Sequence, residues 1–257
     1  MTDHALPQPP SNDVAGSPRA IPVSETFYSI QGEGKLTGQP SYFIRTSGCN
    51  LRCTWCDTPY ASWNPDGSPR AFEDLLAEAR SRRATHVVLT GGEPMMFPQT
   101  PELTRVLRAS GLHVTIETAG TLCPPNTECD LLSLSPKLAN STPRFDPSNP
   151  DPRDPKGVWA ARHEQRRLNL PVLQQLLDRY PERQLKFVVQ AESDLTEIEG
   201  LLSQLRGALP RDVMLMPEGV VTPTPERKSW VAAACVARGW RYCQRLHVEL
   251  YGNTRGT

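Results

Sequence analysis

Three cysteines fall within eight residues of the run Gly48-Cys49-Asn50-Leu51-Arg52-Cys53-Thr54-Trp55-Cys56-Asp57-Thr58, in the pattern C-x3-C-x2-C. A cubane iron–sulfur cluster has four iron corners and is normally held by four cysteines. Thiolates on one short loop reach three of them. The fourth iron then keeps an open position for a substrate or cofactor, as a catalytic zinc keeps one for water. The same triplet also suits a zinc knuckle whose fourth ligand comes from elsewhere, Cys123, Cys129 or a histidine. On spacing alone both chemistries stand. The seven cysteines are an odd number and too clustered for a secreted disulfide framework. Packing is the default account of Cys123, Cys129, Cys235 and Cys243.

A second feature sits one strand–helix–strand step further on. The β-branched run Thr85 to Leu89 ends in Thr90-Gly91-Gly92-Glu93-Pro94, and paired glycines let a backbone approach a ligand closely. With the cysteine loop after the first strand and this turn after the second, the chain resembles the radical S-adenosylmethionine (SAM) superfamily. The resemblance implies a [4Fe-4S] cluster on Cys49, Cys53 and Cys56, with SAM chelating the open iron. It further implies that the reduced cluster cleaves SAM to a 5'-deoxyadenosyl radical, and that Glu93 and its turn meet the cofactor's amino group.

Shorter runs narrow the match. Ser29-Ile30-Gln31-Gly32-Glu33-Gly34, Arg45, Asp57-Thr58, Glu117-Thr118-Ala119-Gly120, Ser135-Pro136-Lys137, Lys186-Phe187-Val188-Val189 and Met216-Pro217-Glu218-Gly219 stand together in an order similar to that of the 7-carboxy-7-deazaguanine synthase family. That resemblance extends from about Ser24 to Arg255. It implies a lyase acting on a carboxylated tetrahydropterin, with Ile30, Gln31, Gly32, Glu33, Arg45 and Thr90 at the substrate. Arg45 suits the carboxylate, because a guanidinium forks onto one. Glu33 suits the donors of the pterin's amino-pyrimidine edge. Thr58 would give an oxygen to a magnesium ion, a cation that takes hard oxygen ligands and retains waters. Trp55, Cys56, Asp57, Gly92, Glu93, Ser135, Pro136, Lys137, Met216, Pro217, Glu218 and Gly219 would surround SAM. Trp55 offers an aromatic face for adenine. By the same analogy the family is a homodimer fed by a flavodoxin or ferredoxin. The rival readings are a radical activase working on a partner protein and a zinc-binding interaction module.

These residues need elements to hold them. Ser41 to Ser47 reads as a strand leading into the cysteine loop. Phe72, Leu75, Leu76 and Ala79 have helical spacing. Helices follow near Gln99 to Ala109, Leu168 to Tyr180, Asp194 to Leu205 and Glu226 to Arg238, alternating with strands at His113 to Glu117, Asp130 to Leu134, Leu185 to Gln190, Val213 to Met216 and Tyr242 to Val248. Such alternation predicts an α/β fold with a mostly parallel sheet and outer helices, about six or seven strands forming a partial, incomplete TIM-like barrel of the radical SAM type. Functional loops then follow the C-terminal strand ends.

The domain is expected over residues 21–257, after a breaker-rich tail at 1–20 that lacks the apolar content to order itself. Prolines 143, 147, 150 and 152 exclude regular structure between Ala139 and Asp154, inside a proline-rich insertion at 139–165. Trp159 and His163 beside it read as packing residues. Lys plus Arg (28) equals Asp plus Glu (28), so charge gives no reason to expect nucleic acid or a membrane surface. No apolar run approaches the ~20 residues of a bilayer span, and a cytoplasmic enzyme with a small-molecule partner is expected.

Overall fold

The computed structural model describes residues 19–257, so the tail expected at 1–20 lies almost wholly outside the described residues. One nine-stranded sheet organises the rest. Its strands are β1 (Ala20–Ile30), β2 (Pro40–Thr46), β3 (Ser68–Ala71), β4 (His86–Gly91), β5 (His113–Thr118), β6 (Leu131–Leu134), β7 (Arg183–Val189), β8 (Val213–Pro217) and β9 (Arg241–Tyr242). They lie in the order β3-β1-β2-β4-β5-β6-β7-β8-β9. From β2 to β9 every pairing is parallel, while β1 runs antiparallel to both β2 and β3. The sheet is open, with β3 and β9 at its edges.

Among the described residues seven α-helices accompany the sheet: α1 (Phe72–Ser81), α2 (Thr100–Ala109), α3 (Val158–Arg166), α4 (Leu170–Arg179), α5 (Ser193–Leu202), α6 (Pro225–Arg238) and α7 (Leu246–Tyr251). Their apolar stripes are read directly from sequence period. Phe72, Leu75 and Ala79 of α1 are buried, as are Leu103 and Leu107 of α2 and Leu173, Leu176 and Leu177 of α4. Caps fix several starts. The Asn169 side chain accepts from Val172 N at 3.3 Å ahead of α4, and Thr224 accepts from Arg227 N at 3.3 Å ahead of α6. No helix among the described residues is long and apolar enough to cross a membrane.

The sheet departs from expectation at both ends. β1 and β3 escape a periodicity reading because Pro22 and Pro69, which face each other in the pairing, are residues that weaken a strand assignment, and a bulge interrupts β1 between Val23 and Glu25. The strand expected at Tyr242 to Val248 is a two-residue strand followed by α7. Leu246, Val248 and Leu250 alternate as a strand would, but only Val248 is buried. The insertion is likewise only partly irregular. A single 3-10 turn at Ala139–Ser141 opens it, and α3 fills its second half.

Candidate active site

The parallel strands deliver their C-terminal ends to one cavity of about 310 Å³. β2 leads into the cysteine loop, β4 into Gly91-Gly92, β5 into Thr118-Ala119 and β6 into Ser135–Lys137. All of these loops line the cavity, and Asn253 to Thr257 border it as well.

The first two loops are locked together through backbone. Gly48 has φ 131°, a conformation that favours glycine, and its N–H donates to Ala61 O at 2.9 Å. The Gly48 carbonyl accepts from Glu93 N at 2.8 Å, and Gly92 N donates to Thr46 O at 3.1 Å. A Cβ at Gly92 would overlap the Gly48 carbonyl. Glu93 itself is wholly buried and does not line the cavity. Its carboxylate accepts from Met95 N (3.0 Å), Thr118 Oγ1 (2.7 Å) and Ala119 N (2.9 Å), tying the β4 loop to the β5 loop. The side chain thus braces these two loops, and it is the turn's Gly91 and Gly92 that face the cavity. Burial pushes its pKa up, against those hydrogen bonds.

Behind the cysteines stand the residues of the insertion. Arg52 N donates to His163 Nδ1 at 3.1 Å, the His163 Nε2 to Ser141 Oγ contact is 2.9 Å, and that hydroxyl donates to Leu138 O at 2.6 Å. Thr54 N reaches Ser141 O at 2.8 Å. The Arg52 guanidinium donates to Cys49 O (2.7 Å) and Leu51 O (2.8 Å) while lying 4.0 Å from the Trp159 ring centroid. His163 and Trp159 are packing residues as expected, with the particular task of clamping the cysteine loop.

With Nδ1 accepting, His163 is the neutral Nε2–H tautomer, and burial pushes its pKa down to about 4, helped by Arg167. Above pH 6.5 neither folded nor unfolded chain is protonated there. Between 6.5 and about 4 only the unfolded chain takes up the proton, so the stability from this group falls as pH drops through that window. Thermal unfolding of wild type and His163→Gln across it should show a Tm gap that narrows toward pH 4; a constant gap would refute the neutral assignment.

Opposite the cysteines the wall is charged. The Glu33 carboxylate pairs with Lys186 Nζ and, at 3.0 Å, with Arg245 Nε. Arg245 also bridges to Asp57 and to the Gly219 carbonyl. Burial pushes the Glu33 carboxyl up, yet Lys186 and Arg245 outweigh it and hold the group far below the usual carboxylate range. Burial likewise lowers Lys186, and Glu33 and Glu117 more than reverse it. Glu117 accepts from Gln31 Nε2 at 3.3 Å and Thr90 Oγ1 at 3.0 Å. At Gly32 a Cβ would overlap the His247 ring. Arg45 Nε donates to Glu25 Oε1 at 2.7 Å, a carboxylate shared with Tyr60 (2.8 Å) and Arg255 (3.0 Å). The Arg45 Nη nitrogens have no hydrogen-bond partner among the described residues.

Of the residues singled out from sequence, Ile30, Gln31, Gly32, Glu33, Arg45, Cys49, Cys53, Trp55, Cys56, Asp57, Thr58, Thr90, Gly92, Ser135, Lys137 and Met216 line the cavity. Pro136 and Pro217 are buried behind it. Glu218 turns to Arg227 at 3.6 Å, and Gly219 meets Arg245, so these four do not line it. Reading by motif gave no role to Glu117, Lys186, Arg245 or His247. Lys186 carried a usable signal, a lone lysine in an apolar central strand, since a buried charge demands a partner. Arg245 and His247 were hidden inside the mistaken last strand.

The donor set fits a cluster. All three thiols are free; Cys49 is half-buried and Cys53 buried, and desolvation raises both thiol pKa values, Cys53 to about 12. Arg52 and Lys137 supply the positive charge that three thiolates need. Among the described residues no three His, Cys, Asp or Glu side chains converge as ligands of one ion would; a cubane places its thiolates on separate corners and does not require it.

A three-cysteine loop joined to a glycine turn over a cavity at the strand ends is the arrangement of a radical SAM enzyme, and residues 43–134 match the Radical SAM superfamily. The chain is 45% identical to the 7-carboxy-7-deazaguanine synthase of Rhodopirellula baltica over 99% of its length and 95% of that protein's. It is 46% identical to the enzyme of that name from Halobacterium salinarum, covering 94% and 95%. The crystal structure of QueE from Escherichia coli superposes with TM-score 0.65 at 30% identity, covering 89% of this chain and 95% of that one. The chain belongs to the 7-carboxy-7-deazaguanine synthase family, and it is a lyase. Family membership implies the [4Fe-4S] cluster and SAM, and displaces the activase and zinc-module readings.

Proposed function

We propose that the enzyme converts 6-carboxy-5,6,7,8-tetrahydropterin to 7-carboxy-7-deazaguanine with loss of ammonia, within queuosine biosynthesis. The observation that carries this reading is Arg45. One guanidinium nitrogen is taken by Glu25, and the other two are left for an anion in a cavity that the three cysteines also line. About 310 Å³ lies at the small-molecule end of binding-site volumes, roughly 300–1,000 Å³.

Cys49, Cys53 and Cys56 would hold the cluster and Trp55, Asp57, Gly92, Ser135, Lys137 and Met216 would surround SAM; bound there, the pair supplies a 5'-deoxyadenosyl radical. The chain's own residues orient and enclose. Arg45 receives the substrate carboxylate. Gln31, Thr90 and Glu117 present a hydrogen-bonding edge to the heterocycle, and Gly32, with no Cβ, lets the His247 ring pack against its backbone at the cavity wall. Glu33, already neutralised by Lys186 and Arg245, anchors the loop after β1 to β7 and to the residue before α7, at the wall where the pterin's amino-pyrimidine edge would lie. Thr58 offers one hard oxygen to magnesium, which would keep waters and take substrate oxygens for the rest. A cytoplasmic homodimer supplied by a flavodoxin or ferredoxin completes the reading.

Arg45→Leu tests it. KM for the carboxylated pterin should rise about 10- to 100-fold, the ~1.5–3 kcal/mol of a charged hydrogen bond, with a smaller change in kcat. A pterin bearing a neutral 6-substituent should bind wild type and variant alike. Equal losses for both compounds would refute the carboxylate role.

A further inference from the structure

The reading above requires an electron from outside the chain, and the inference here rests on it. Substrate and SAM take the cavity side of the cysteine loop, so delivery falls to the other side, which the insertion and α3 cover. There guanidinium groups and indole rings alternate. Arg162 lies 5.5 Å from the Trp159 ring and Arg52 4.0 Å from it; Arg52 is also 6.0 Å from Trp63, and Arg153 is 4.4 Å from Trp63. The column touches the cysteine backbone twice. Trp63 Nε1 donates to Cys53 O at 3.1 Å, and Arg52 donates to Cys49 O at 2.7 Å. It reaches the surface at Arg153 and Arg162.

Charge on this face is one-sided. Every acid of the segment is engaged locally: Asp146 accepts from Ser148, Asp151 pairs with Arg153, Asp154 accepts from Ala160 N, and Glu164 pairs with Arg167. Arg144, Lys156, Arg162 and Arg166 have no carboxylate within ion-pair distance among the described residues. Beside them Phe145 and Val158 are 44% and 43% exposed, unusual for large apolar side chains. Unpaired cations around a small apolar centre suit a brief, electrostatically steered encounter, and redox complexes use small interfaces of this kind.

We propose that the face formed by Arg144, Phe145, Lys156, Val158, Arg162 and Arg166 is the docking surface for a small acidic one-electron carrier protein. One electron leaves the reduced carrier and enters the cluster. No bond forms or breaks, and the carrier is oxidised by one electron as the cluster is reduced by one.

The probe is reduced flavodoxin, with dithionite as the reductant that needs no docking. In Arg162→Glu/Arg166→Glu, KM for flavodoxin should rise at least about tenfold through the lost steering, with dithionite-driven turnover unchanged. Calorimetry on the iron-loaded enzyme should show the same loss of flavodoxin affinity. In wild type, salt should weaken flavodoxin-driven turnover and spare the dithionite-driven rate, a test that needs no variant. Unchanged flavodoxin affinity, a salt-independent KM, or a parallel fall with both reductants would overturn the proposal. If wild type makes no deazaguanine with dithionite, the proposed function fails, while calorimetry still decides the docking face.

Discussion

Cys53→Ala, purified and reconstituted anaerobically, should retain its fold and lose 5'-deoxyadenosine formation by more than about 10³-fold, over ~4 kcal/mol of barrier. The reasoning is that the loop is held by contacts other than the thiol. Trp63 and Arg52 bind its carbonyls, Ser141 holds Thr54 N, and Gly48 is fastened to Ala61 and Glu93. Removing one sulfur therefore leaves the scaffold in place. With only two of three thiolates the loop cannot retain a cubane. Iron content and charge-transfer absorption should fall together while the circular dichroism of the apoprotein is unaltered. A variant that still cleaves SAM at the wild-type rate would remove the cluster from this loop.

Lys186→Met should destabilise the fold by about 3 kcal/mol, the low end of the ~3–5 kcal/mol for breaking a buried ion pair. All seven residues of β7 are buried, and the Lys186 and Glu33 side chains are only 6% and 12% exposed, so little water can replace the ammonium at the Glu33 carboxylate once it is removed. Glu33 keeps Arg245 after the substitution, which places the cost at the lower end. Adding Glu33→Gln should recover part of it, because the uncompensated carboxylate is then gone. Glu33 is held well below its usual 4.5, so its contribution is present above that pH and is lost as pH falls below it. The stability gap between wild type and Glu33→Gln should accordingly close in acid. Denaturant unfolding checks both statements, and a change under about 0.5 kcal/mol, the size of an exposed-pair effect, would contradict the buried-pair account.

How much of this was legible in the sequence differs from element to element. Phe72, Leu75 and Ala79 gave α1 because helical spacing reports burial on one face. The parallel core followed from alternating elements, and the cysteine loop and glycine turn fell at the ends of β2 and β4 as the fold class requires. The first strand was hidden because Pro22, Ser24 and Glu25 interrupt its pattern, although its antiparallel pairing is what brings Glu25 to Arg45. Glu93 shows a different limit of the sequence. Its motif was recognised, but a motif does not say which way a side chain turns, and this one turns into the protein. The charged wall depends on Glu33, Lys186 and Arg245 meeting across separations of 153 and 212 residues, which no local pattern encodes. His163 was correctly read as packing, while its part in clamping the cysteine loop depended on Ser141 and Arg52 arriving beside it.

The most direct test of the central claim is anaerobic turnover of 6-carboxy-5,6,7,8-tetrahydropterin with dithionite, SAM and magnesium, followed by mass. The account predicts 7-carboxy-7-deazaguanine and ammonia in equal amounts, over more turnovers than SAM molecules consumed, and none from Cys53→Ala. Cleavage of SAM to 5'-deoxyadenosine with the pterin left intact would contradict it.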